Sequence, residues 1–217
     1  MKKNYFDKRY FFAFLCLILL NIMYVWINRL NLQIHSVKIF IDNYIPFIKW
    51  MVIPYILWYL YIWFVIFYLA FYYKKLFILH TKGVILSKLI CMVIYITYPT
   101  YVIRPEILGT DIFSKLIEMV YSNDNPVNVF PSIHVLQSLL THKAIIHIKG
   151  VKKWVKYSSL LFIVMVILST LMIKQHYILD VIGAYSLALI TTKFIYNEKH
   201  EGYSIKTIKS RLLEDRF

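Results

Sequence analysis

The 217-residue chain is poor in glycine, cysteine and acidic residues. With 5 glycines, no glycine-rich loop for cradling a nucleotide phosphate can be drawn. The 2 cysteines, Cys16 and Cys91, each lie inside an apolar block, lack metal-ligand spacing and suggest no disulfide. Asp and Glu number 11 against 25 Lys and Arg, which leaves a formal charge of +14. What abounds is apolar: 60% of the residues are hydrophobic, and the mean hydropathy is +0.61. These residues fall in long blocks rather than in a period that leaves one face polar, which points to lipid as the solvent. The basic residues sit between the blocks, as charges held at a membrane surface do, so nucleic-acid binding has little weight.

A spanning helix needs ~20 mostly apolar residues. Blocks of that kind predict spans near 10–28, 50–73, 84–103, 132–148, 155–173 and 177–196. The expected fold is all-α, an integral membrane bundle of about six transmembrane helices in a single domain over 1–217. No small-residue cleavage site follows the apolar run from Tyr10, so that run reads as an uncleaved first span. The block at 132–148 is the least apolar, because His142, Lys143 and His147 stand in its last turns.

Charge asymmetry gives an orientation. Lys2, Lys3, Lys8 and Arg9, then Lys74, Lys75, Lys82 and Lys88, then Lys143 to Lys156, and finally the basic tail all fall on one side. The other side holds only Arg29, Lys38, Lys49, Arg104, Lys115 and Lys174. Positive residues favour the cytoplasm. The expectation is a multi-pass plasma-membrane protein with both termini inside and the segments 29–49, 104–131 and 174–176 outside. Within the second of these, Ile112, Phe113, Leu116, Ile117 and Val120 share one helical face, opposite Ser114, Lys115 and Glu118. This predicts an amphipathic helix on the outer surface, capped by Asp111. Past Asn197, Ile205, Ile208, Leu212 and Leu213 fit either a short surface helix or a solvated tail.

Three polar clusters interrupt the apolar pattern, all on the outer side. They are Arg104-Pro105-Glu106, Phe130-Pro131-Ser132-Ile133-His134, and Lys174-Gln175-His176 leading to Asp180. Ionisable groups at membrane depth cost about 3 kcal/mol each, so they usually mark a site. His176 and Asp180, four residues apart, can meet on one helical face. A carboxylate on one imidazole nitrogen leaves the other free to attack. A second histidine, His134, suits proton donation to a leaving oxygen. Arg104, Lys174, the Ser132 hydroxyl and the first amides of the following helix suit a bound phosphate. Taken singly, each element has a structural reading: a satisfied His–Asp pair, a helix cap, an interfacial arginine. Together on one side of the membrane they favour a site. Two histidines and an aspartate could also hold zinc or iron, but Arg104 and Lys174 would attract an anion instead. No cofactor or metal is therefore expected. His35, His80, His142, His147 and His200 are scattered and read as interfacial.

In these motifs the chain resembles the type 2 phosphatidic acid phosphatase superfamily, the lipid phosphate phosphatases and related phosphotransferases. The family pattern is Lys-x6-Arg-Pro, then Pro-Ser-Gly-His, then Ser-Arg-x5-His-x3-Asp. The chain carries Arg104-Pro105, Pro131-Ser132-Ile133-His134, and Ser169 with His176 and Asp180, in the family order and spacing. It departs from the pattern at Thr97 for the Lys, Ile133 for the Gly and Thr170 for the Arg. Two cationic ligands are thus missing, and Lys174 can restore one charge.

The resemblance implies a six-helix bundle in which His176 is the nucleophile, Asp180 orients it and His134 protonates the leaving oxygen. It implies that Arg104 and Ser132 hold the phosphoryl group of a lipid phosphate or diphosphate in the bilayer, and that no metal is used. Similar gaps occur in branches resembling inositolphosphorylceramide and sphingomyelin synthases, which transfer a headgroup rather than release phosphate. A non-catalytic lipid-binding or transport protein is the reading from another class. The sequence carries no signal for an oligomeric state.

Overall fold

The computed structural model describes residues 8–30 and 32–196, together with the backbone of 203–204. Among the described residues there are seven α-helices: α1 (Lys8–Ile27), α2 (Val52–Tyr72), α3 (Lys74–Thr97), α4 (Ile112–Asn123), α5 (Ile133–Ile146), α6 (Lys153–Met172) and α7 (Ile178–Tyr196). Five of them are long and apolar enough to cross a membrane: α1, α2 with the turn before it, α3, α6 and α7. The protein is an all-α membrane bundle. Tyr55, Phe77, Leu69, Leu136, Leu140 and Ile163 are among the fully buried side chains at its centre, while Phe64, Phe71, Leu161 and Phe194 face outward, as apolar residues do when lipid is the solvent.

Neighbouring helices alternate in direction. At one end Tyr10 and Phe14 of α1 meet Phe77 of α3, and His147 after α5 meets Tyr196 of α7. At the other end Tyr24 of α1 faces Tyr95 of α3, and the segments 28–51, 98–132 and 173–177 gather there. Two short parallel strand pairings, His35–Ser36 with Thr100–Tyr101, tie the first two of these segments together.

The third span differs from its expected limits. One residue, Tyr73, separates α2 from α3. Tyr73 N donates to Leu69 O and Phe77 N to Tyr73 O, both at 2.8 Å, so this one residue closes α2 and opens α3. Consequently α3 starts at Lys74, not near 84, and Lys82 and Lys88 belong to the helix rather than to a basic connection. Lys74, Lys75, His80 and Lys82 depress the hydropathy of this stretch, but Leu76, Phe77, His80 and Thr81 are buried against neighbours, and tertiary packing sustains the helix. His80 is thus an interior residue, not an interfacial one.

The fourth span is shorter than expected. Helix α5 has 14 residues, about 21 Å of rise, and it packs against α2, α3, α6 and α7. Its polar residues His134, Gln137, Ser138 and Thr141 are all buried, which is why its sequence looks least like a lipid-facing span. The amphipathic helix expected from Asp111 is α4. Asp111 Oδ1 accepts the amides of Phe113 and Ser114 at 3.0 and 3.1 Å, and Ile117 and Val120 bury against Met51, Val52, Tyr55 and Ile173. Ser114 Oγ donates to Asp111 Oδ2 at 2.6 Å, and Lys49 Nζ reaches the same oxygen at 3.2 Å. These donors hold the Asp111 carboxyl well below the usual carboxylate range. The tail helix expected around Ile205–Leu213 lies outside the described residues.

Candidate active site

The start of α5 is fixed from three directions. Tyr95 Oη donates to Pro131 O at 2.6 Å, the Phe130 amide donates to Thr100 Oγ1 at 2.9 Å, and the Ser132 amide donates to the Asp180 carbonyl at 3.1 Å. Ser132 is the N-cap: its buried hydroxyl accepts from the Val135 amide at 3.4 Å. Ile133 and His134 follow in the first turn, whose backbone N–H groups form the kind of terminus that accepts an anion.

The start of α7 lies beside it. After α6 the chain reverses through Lys174, which adopts φ 55°, and the Gln175 and His176 amides donate to Thr170 O at 2.9 and 3.1 Å. This left-handed helix end turns Gln175 and His176 back against the bundle. His176 precedes the first helical residue, Ile178, so its pairing with Asp180 is made across the helix start rather than along a helical face. Asp180 Oδ2 accepts the Tyr177 amide at 2.8 Å and sits 3.2 Å from His176 Nδ1. Asp180 is fully buried and His176 is 8% exposed. Asp42, from the segment before α2, receives the Ile178 amide at 2.9 Å and so caps α7 from outside.

The His134 ring lies 5.7 Å from the His176 ring at 62°. Helix α2 boxes it: Tyr55 at 4.6 Å, Trp58 at 4.4 Å and Tyr59 at 6.1 Å between ring centroids. Trp58 Nε1 donates to Ser138 Oγ at 2.9 Å, and Ser138 Oγ donates to His134 O at 2.7 Å, which fixes the box to α5. Tyr55 and Tyr24 hydroxyls donate to the two carboxylate oxygens of Asp124, at 3.2 and 3.0 Å.

Arg104 is held among carbonyls. Its guanidinium donates to Tyr121 O at 3.2 Å and Asp124 O at 2.7 Å, and also to Gln175 Oε1. It lies over the Tyr121 ring at 4.4 Å. Burial pushes its pKa down, opposed by Asp124. Through Gln175 it touches the residue before His176. Lys174 points elsewhere: its Nζ donates to Ile45 O. The structure therefore brings His134, His176, Asp180 and Ser132 together, joins Arg104 to them through Gln175, and directs Lys174 to the segment before α2. Thr97 and Thr170, where the family pattern has cations, bond back to Val93 O and Ile167 O of their own helices.

Several site atoms are buried without a partner: His134 Nε2, Arg104 Nε, Gln175 Nε2 and Asp180 Oδ1. Buried polar groups are rarely left so, and each of these atoms is open to a bound polar ligand or a water. Among the described residues no three His, Cys, Asp or Glu side chains gather as a metal set. Sequence reasoning did not single out Gln175, nor Tyr55, Trp58 and Tyr59. The latter sit at i, i+3 and i+4, a spacing that marks one face of α2 but is common to any aromatic-rich span.

A family model for the PAP2 superfamily matches residues 21–194. No curated protein and no solved structure matches the chain.

Proposed function

The chain belongs to the PAP2 superfamily, and from that premise we propose that it is a membrane enzyme that hydrolyses a lipid phosphate or diphosphate through a phosphohistidine on His176. The observation that carries the reading is the His176–Asp180 contact at 3.2 Å with the His134 ring 5.7 Å from His176. Asp180 holds His176 Nδ1 as the N–H, so Nε2 carries the lone pair that attacks phosphorus. As the Nε2–P bond forms, the P–O bond to the lipid breaks. The leaving oxygen takes its proton from His134, whose Nε2 is unpartnered. A water then gives its proton to His134 and attacks phosphorus, releasing phosphate and restoring His176. Arg104, Gln175 and the first amides of α5 offer donors to the phosphoryl oxygens, where charge accumulates. Lys174 would join them only by leaving Ile45 O. The active site is proposed to lie on the extracytoplasmic face, with both termini in the cytoplasm.

Headgroup transfer to an alcohol shares the first half-reaction, and the absence of cations at Thr97 and Thr170 is the feature that favours it. The deciding experiment is a rapid quench of purified protein with phosphorus-labelled lipid phosphate. Alkali-stable label on the wild type and none on His176→Ala is expected. Undiminished turnover by His176→Ala would overturn the phosphohistidine reading.

A further inference from the structure

A cavity of about 270 Å³ opens beneath His134, between α1, α2, α3 and α5. Much of its wall is apolar, with Leu17, Ile62 and Ile66 among its residues. Lys88 also lines it. This lysine is 4% exposed and stands nine residues before the end of α3, roughly 13 Å down the helix. Its Nζ donates to Asn21 Oδ1 at 2.7 Å, a neutral partner. The acid on the cavity wall, Asp124, has both carboxylate oxygens on tyrosine hydroxyls. An ammonium at this depth costs about 3 kcal/mol or more unless it is paired. Lys88 is therefore a buried cation facing a cavity without an anion bonded to it.

We propose that Lys88, with Asn21, forms a second anion subsite in the cavity beneath His134, which selects lipids whose leaving group itself carries a phosphate. The inference rests on the reading that His134 protonates the leaving oxygen. The leaving group then lies on the His134 side of the scissile bond, and the cavity lies on that side as well. A phosphate there, between the cleaved phosphoryl group and the apolar tail, meets the Lys88 ammonium while the tail follows the apolar wall. The positive charge also stabilises the negative charge that the departing group gains as the P–O bond breaks. It stands on the leaving-group side, whereas the two motif cations replaced by Thr97 and Thr170 belong to the reacting phosphate.

The test uses two non-hydrolysable probes with the same chain, an alkyl phosphonate and an alkyl methylenediphosphonate. Affinity is read from thermal stabilisation of the purified full-length protein in detergent. The wild type is expected to bind the diphosphonate more tightly, and Lys88→Met to lower that preference about tenfold. Lys88→Arg should keep most of it. Lys88→Gln serves the same purpose if Lys88→Met fails to fold, since binding of the alkyl phosphonate reports a folded site. A wild type with no preference, or a preference that survives removal of the ammonium, overturns the subsite. The readout needs no turnover. A wild type that prefers the diphosphonate yet hydrolyses neither lipid phosphate nor lipid diphosphate overturns the catalytic reading and keeps the subsite, and turnover without preference does the reverse.

Discussion

The main-chain carbonyl of Asp180 accepts the amide of Ser132 at 3.1 Å, so one residue both orients His176 by its side chain and anchors the start of α5 by its backbone. A substitution confined to the side chain leaves the anchor. In Asp180→Asn the side-chain oxygen can still accept the Tyr177 amide and His176 Nδ1–H, but the charge that stabilises a developing imidazolium is gone. Turnover of a lipid phosphate should fall by about a hundredfold or more, with thermal stability close to wild type. A loss of stability comparable to the loss of rate would show that the pair is structural.

His134→Ala should discriminate between substrates. The variant lacks the proton donor, so a phosphate ester with a poor alcohol leaving group should lose roughly two to four orders of magnitude in rate. An aryl phosphate, whose leaving group departs unprotonated, should lose far less. Equal losses on both would remove His134 from proton transfer.

The Arg104–Gln175 contact separates positioning from binding. Gln175→Glu keeps an oxygen for Arg104 but replaces the unpartnered amide nitrogen with an anion beside His176. Vanadate inhibition should weaken by about tenfold or more, while Gln175→Asn should lose less. If Gln175→Glu binds vanadate as the wild type does, the amide does not face the phosphoryl group.

Gly183 leaves little room. A Cβ there would stand 2.5 Å from Phe130 Cε2, whereas at Gly83 the nearest atom, Thr191 Cγ2, is 3.6 Å away. Gly183→Ala should cost about 1–3 kcal/mol and disturb the segment that enters α5, lowering activity. Gly83→Ala should be tolerated. Thermal melts of the two variants in the same detergent make the comparison.

Acid should loosen α4 before the bundle. The Asp111 pKa is lowered in the folded protein. Its contribution is therefore complete above the ordinary carboxylate range and is lost as pH falls through that range toward the lowered folded value. Amide protection factors over 112–123, corrected for the intrinsic pH dependence of exchange, should fall in that window and stay flat above it. Asp111→Ala should show the lowered protection at neutral pH.

Much of this architecture is legible in the residues. Uncharged runs such as 52–72 announce themselves, and the Asp111 cap with its apolar face predicts α4 closely. The residues of the candidate site stood out as well, because His134, His176 and Asp180 break long apolar blocks. What escaped was whatever hydropathy misassigns. Lys88 reads as part of a basic connection when charge is counted along the chain, but the one-residue bend at Tyr73 draws it inside. Gln175 carries no charge and stands beside a more conspicuous histidine. The α2 aromatics look like any lipid-facing stripe until a partner helix supplies a histidine for them to enclose.

That bend has a mechanical consequence. The helix that boxes His134 and the helix that carries Lys88 are joined by Tyr73 alone, with backbone bonds on both sides of it. Two walls of the cavity are thus tied together at one end by a single residue, and α5 is anchored at its start through the Ser132 amide. The third wall, α1, has the smallest buried share of the five long spans and meets Lys88 through Asn21, so any parting of α1 from α3 would break that hydrogen bond and free the Lys88 ammonium.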